Sequence, residues 1–137
     1  MMDLNNVMDI AGSAMSAQSV RLNTTASNLA NADSISSSIN QTYKARHPVF
    51  SAIQQALNAD GVAGVQVKGI VESSAPVRPL YQPDHPLANA DGYIFQPNVN
   101  LVEEMADMIS ASRAYQTNVQ VANTAKQMLA RTLQLGQ

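Results

Sequence analysis

Apolar residues recur at seven-residue intervals at both ends of the chain. Near the N-terminus Met8, Met15, Leu22 and Leu29 form one row; Leu4, Ala11, Gln18 and Thr25 form a second that loses its apolar character along its length. A seven-residue repeat places such positions on one side of an α-helix. It predicts a helix from about Asp3 to Ala32, about 45 Å long at 1.5 Å per residue. The C-terminal part carries a stronger version. Leu101, Met108, Tyr115, Ala122 and Leu129 make one row, and Met105, Ser112, Val119, Lys126 and Leu133 the other. Asn100 followed by Glu103 has the form of an N-cap with its capping-box partner. Glu103, Glu104 and Asp107 in the early turns, with Lys126 and Arg131 later, match the helix dipole. Gly136 supplies a stop, and a helix from about Leu101 to Gln134 follows.

Between the two, the pattern changes. All 6 prolines, Pro48, Pro76, Pro79, Pro83, Pro86 and Pro97, lie in the middle of the chain, where each would break a helix interior. Val65, Val67 and Val71 alternate with small or polar residues, a half-buried strand signal. Tyr43, Val49 and Phe50 surround Pro48, which confines a strand there to an edge or interrupts it. Asp91-Gly92 ahead of Tyr93-Ile94-Phe95 reads as a hairpin turn entering a short strand. The Ser-rich stretch from Ser34 to Thr42 has no periodicity and reads as a mobile loop. The expected fold is mainly α with a small β-rich insert. Its long N- and C-terminal helices (within 1–33 and 98–137) pack as a coiled-coil-like pair around the insert at 34–97.

At 137 residues and 45% hydrophobic content this is one domain's worth of chain, but aromatics are 4% and charged residues 13%, about half the usual charged share. No charge occurs from Leu22 to Ala32 or from Ala114 to Ala125; Asn, Gln, Ser and Thr stand there instead. A solvent-facing helix normally carries Glu and Lys outward. Amides both donate and accept, so they can bond varied neighbours without burying a charge. So narrow a seam buries little apolar area against the chain's entropy, and further copies packed around the pair would supply the rest. The alternatives are a two-helix protein with an amide-rich surface, and a small cytoplasmic helical adaptor or secretion chaperone.

The net charge of −2 gives no footprint for nucleic acid. No apolar run approaches the roughly 18 residues of a membrane helix. The opening Met1-Met2-Asp3-Leu4-Asn5-Asn6 has no basic region ahead of Arg21, so neither a cleaved signal nor direct membrane insertion is expected. Without Cys there is no disulfide and no thiolate chemistry. His47 and His85 are the two histidines. Asp84-His85 lies between Pro83 and Pro86, where Asp84 would cap a turn, and no second ligand cluster is visible along the sequence to complete a metal site. No phosphate-binding loop or nucleophile elbow is present. The expectation is therefore no enzyme, no cofactor and no metal.

The segment SAQSVRLNTTASNLANADS, from Ser16 to Ser34, resembles the N-terminal signature of bacterial flagellar rod and hook proteins. The stretch from Pro97 onward, PNVNLVEEMADMISASRAYQTNVQVANTAKQ and its continuation, is similar to the matching C-terminal signature. YQPDHPLANADGYIFQPNVN between them resembles the proximal-rod members of that family, which also have a short middle. The positions that best match are Arg21, Leu22, Asn23, Ala26, Ser27, Asn28, Leu29, Ala30 and Asn31, with Ala111, Ser112, Arg113, Ala114 and Tyr115. The resemblance implies subunit packing for them. It also implies terminal helices assembled as a helical tube around an export channel, other rod subunits and copies of the same chain as partners, and a place in the periplasm-spanning flagellar basal body. It further implies export through the flagellar type III apparatus without signal cleavage.

Overall fold

A computed structural model describes residues 3–54 and 63–136; Met1, Met2 and Gln137, the first two of them part of the N-terminal reading above, lie outside the described residues. Helix α1 runs Leu4–Ala30 and helix α2 Leu101–Leu135, within a residue or two of the expected bounds. Between them come β1 (Arg46–Gln54), β2 (Ala63–Glu72), β3 (Arg78–Tyr81) and β4 (Tyr93–Gln96). The architecture is two long helices with two small antiparallel sheets, β1 with β2 and β3 with β4.

The helix ends follow from local chemistry. Asn100 is extended and its Oδ1 accepts from Glu103 N at 3.3 Å, so the backbone half of the capping box forms. At the other end of α1, Asn31 Nδ2 donates to Ser27 O at 2.8 Å and Asn31 N donates to the same carbonyl at 3.1 Å. Both bonds fall on one of the last carbonyls of the helix, which a helix end tends to leave open. α2 continues to Gly136, whose N–H closes on Thr132 O.

α1 and α2 lie antiparallel: Arg21 meets Asp107, and Leu4 and Val7 share a groove with Val121, Ala125 and Met128. α2 is the longer helix, so its last turns run past the start of α1. The innermost residues are small or polar. Ala11, Ala17, Thr24, Thr25 and Asn28 are buried on α1, and Glu104, Ala111 and Ala125 on α2. Alanines facing each other let two helix backbones approach closely, and the larger side chains are displaced to the flanks of the contact.

β1 and β2 pair from Arg46↔Glu72 to Gln54↔Ala63 with an irregularity between Val49 and Phe50. Pro48 just before it cannot donate to a ladder, and the two-stranded sheet tolerates it. The hairpin is tied to α1 through Ser13. Val65 N donates to Ser13 Oγ at 3.1 Å, and that hydroxyl donates on to Ile10 O at 2.8 Å. A Cβ on Gly64 would stand 3.2 Å from the same oxygen, so glycine suits the close approach there.

Two readings of the middle need correction. The stretch 34–42 is ordered. Ser36 pairs with Phe95 through both backbone groups at 3.1 and 3.0 Å, a 3-10 turn spans Ile39–Gln41, and the Ser36 and Thr42 hydroxyls meet at 2.7 Å. Asp91-Gly92 does not form a tight hairpin; it ends a longer connection, 82–92, between β3 and β4. Gly92 has φ +83, a conformation that favours glycine, and a Cβ there would come within 2.9 Å of the Tyr81 ring. Asn89 Oδ1 accepts from both Asp91 N and Tyr93 N, which holds the connection in shape.

Candidate functional site

Where the two helices meet the insert, polar groups from four parts of the chain converge. Asn28 is fully buried at the last turns of α1. Its Oδ1 accepts from Arg46 N at 2.9 Å and from Tyr43 Oη at 2.7 Å, while its Nδ2 donates to Arg46 O at 2.8 Å. One amide thus satisfies both backbone groups of the first residue of β1, as buried backbone requires. Ser27 Oγ lies 3.1 Å from the same tyrosine oxygen, and the Arg46 guanidinium lies 5.7 Å from the Tyr43 ring centroid. On the other side of the insert Asn98 Oδ1 accepts from Ala45 N at 2.8 Å, and its Nδ2 donates to Ala75 O at 2.7 Å. Two asparagines therefore clamp consecutive residues, Ala45 and Arg46.

Charge gathers beside this clamp. Arg21 Nη2 donates to Asp107 Oδ1 at 2.8 Å across the helix pair, with both side chains mostly covered. Glu104, one turn before Asp107, is 2% exposed; its Oε1 is 3.7 Å from His47 Nε2, and its Oε2 has no hydrogen-bond partner. The sequence shows no ligand cluster here because His47 stands far from Glu104 and Asp107 along the chain. The fold brings the three together. His85 sits instead in the 82–92 connection. Its Nδ1 accepts from Leu87 N at 3.0 Å, so the histidine makes the turn contact expected of Asp84.

The outward surface of α2 is apolar in two separate places. Leu101, Val102, Met105 and Ile109 are exposed and share one side of the helix at about 100° per residue. Val121, Met128 and Leu135, spaced by seven, are exposed on another side, the first two beside Leu4 and Val7. The total accessible surface is 9292 Å², against about 6,900 Å² for a compact monomer of this mass.

Residues 90–135 match the family model described as flagellar basal body rod FlgEFG protein C-terminal, and residues 8–34 match that of the flagella basal body rod protein. The chain is 50% identical over 136 residues to the flagellar basal-body rod protein FlgC of Salmonella typhimurium, covering 99% of this chain and 100% of that protein. It is 51% identical to the FlgC of Yersinia enterocolitica over the same shares, and 45% identical over 138 residues to that of Buchnera aphidicola subsp. Schizaphis graminum. The chain belongs to the FlgC family of flagellar basal-body rod proteins. Its class is accordingly structural and not enzymatic. No helix among the described residues is long and apolar enough to cross a membrane.

Against this FlgC background the positions singled out in the sequence fall into three groups. Met8, Met15, Leu22 and Leu29 on α1, and Met108, Val119 and Leu129 on α2, are half-buried, as is Leu4. Leu101, Met105, Tyr115 and Leu133 are exposed; Leu133 lies in the final turns of α2, which run past the start of α1. Of the signature positions, Asn28 and Ala111 are buried, and Arg21, Ser27, Asn31, Ser112 and Ala114 are partly covered. Asn23, Ala26, Ala30 and Arg113 face outward. Asn98 and Ser13 carry the junction without having been singled out, and Tyr43 and Glu104 read in the sequence only as a strand-region aromatic and a helix-start carboxylate. Glu104 begins a seven-residue row with Ala111, Asn118 and Ala125, which looks unremarkable when apolar size is the criterion.

Proposed function

We propose that this chain forms the proximal part of the rod by packing its terminal helices against those of further copies and of other rod subunits, as a tube around the export channel. In this reading the helix pair is a coiled-coil-like building unit, and torque passes through many interlocked helices that resist twisting together. The carrying observation is the pair of exposed apolar stripes on α2. Stripes on two different sides let one subunit contact two neighbours by unlike surfaces, and such contacts generate rings or helical filaments. The excess accessible surface, about 2,400 Å², is of the order of three one-sided interfaces of about 800 Å². The charge-free stretches of both helices fit the same use. Export through the flagellar type III apparatus without signal cleavage belongs to this reading.

The test is Ile109→Asp in cells whose own copy of the gene is deleted. Ile109 is 57% exposed, so the variant chain keeps its helix content while the subunit is lost from isolated basal bodies and motility fails. Normal incorporation of this variant and of Val102→Asp would remove the first stripe from the interface. A stable helical dimer that never leaves the cytoplasm would favour the adaptor reading.

A further inference from the structure

We propose that His47, Glu104 and Asp107 form a site for one divalent transition-metal cation, with Zn2+ the ion that the donor set suits. One ligand atom from each residue lies within 4.8 Å of the other two. Some point therefore lies within about 2.8 Å of all three, and modest inward rotation brings them to the 2.0–2.2 Å of zinc bonded to imidazole or carboxylate.

The independent observation is the state of Glu104. Its side chain is 3% exposed and its Oε2 makes no hydrogen bond, whereas a buried carboxylate oxygen ordinarily has a partner. Its other oxygen, Oε1, is 3.7 Å from His47 Nε2, beyond hydrogen-bond distance, so the imidazole bonds neither oxygen. Asp107 gives one oxygen to Arg21, and a carboxylate retains further lone pairs for a metal. Arg21 faces two carboxylates and pairs with only one of them, which leaves the other for a cation to offset.

Access to the group runs along the histidine. Glu104 is 3% exposed, but His47 is 46% exposed and gives a small ion an open side. Two oxygens and an imidazole nitrogen form a three-ligand set with a fourth position left for water, and imidazole favours zinc over magnesium or calcium. Arg21 holds Asp107 through its Oδ1 at 2.8 Å, as a supporting contact does for a metal ligand. A bound ion would join β1 to α2 at the junction that Asn28 already clamps.

The test is equilibrium dialysis of the full chain, stripped of metal, against Zn2+, with circular dichroism on the same samples. Expected is one saturable zinc per chain, weakened at least about tenfold by His47→Ala and by Glu104→Gln, and unchanged by His85→Ala. His47→Ala alters an exposed side chain, so its fold survives even where Glu104→Gln disturbs the core. Three results would overturn the proposal: a helical chain that binds no zinc, an unfolded one that Zn2+ leaves unfolded, or binding that follows His85 and ignores His47.

Discussion

Replacing Asn28 with alanine removes three hydrogen bonds at one buried point. Two of the lost partners, Arg46 N and Arg46 O, are left without their side-chain contact, while the Tyr43 hydroxyl keeps Ser27 Oγ at 3.1 Å. At about 1–3 kcal/mol for each of the two groups left unpaired in the interior, and about 1 kcal/mol for the lost Tyr43 bond, the expected loss is about 3–7 kcal/mol. A small domain has only about 5–15 kcal/mol in total, so the change is severe without touching any apolar contact. Urea unfolding followed by circular dichroism gives the stability change. Amide exchange at Arg46 gives its location, and that proton should exchange at least about a hundredfold faster, since each 1.4 kcal/mol is a factor of ten. Asn28→Asp should fare no better: it keeps an acceptor but loses the donor to Arg46 O and buries a charge. In a double-mutant cycle, Tyr43→Phe should couple to Asn28→Ala by about 1 kcal/mol. A loss below about 1 kcal/mol, with the Arg46 amide still protected, would refute the clamp.

Two further perturbations test the frame around it. Arg21→Ala breaks the mostly covered pair with Asp107 at 2.8 Å and should cost about 1 kcal/mol, with the loss shrinking when Asp107→Asn is already present; additive losses in the two variants would show that the pair is not coupled. Gly92→Ala places a Cβ 2.9 Å from the Tyr81 ring at φ +83 and should cost about 1–3 kcal/mol, read as a lower Tm, whereas Gly69→Ala, with nothing within 4 Å of its Cβ, should cost far less.

The helices were legible because their signals are local. Prolines confined to the middle free both ends, a seven-residue repeat sets the helical period, and Asn100 marks a start. The face that turns inward was not legible in the same way. Ranking positions by apolar size selects Met105 and Leu133, but the contact is built on Ala11, Ala17, Ala111 and Ala125. Close backbone approach rewards small side chains, and the large ones beside them then point past the partner helix. The order in 34–42 was invisible for another reason: it depends on Phe95, far along the chain from its partner Ser36, and on hydroxyl groups that have no period. Asn28 and Glu104 were readable as a signature amide and as a helix-start carboxylate. What they touch, Arg46 and His47, depends on how the insert returns to the helices.

The two classes of amide in this chain divide the work of folding from that of assembly. Asn28, Asn31, Asn98 and Asn100 bond backbone groups inside the chain, each at a place where a strand or helix begins or ends. Asn23, Gln116, Gln120 and Asn123 face outward, on helix stretches that carry no charge. A lysine or glutamate at those outward positions would serve a free monomer better. In a packed tube, however, it would be desolvated without a fixed partner, at a cost of several kcal/mol. An amide can donate to one neighbour and accept from another, and its burial costs far less once both bonds form. In the proposed tube the outward amides would be covered without burying a charge, and the inward ones fix the strand and helix ends that give the exposed faces their positions.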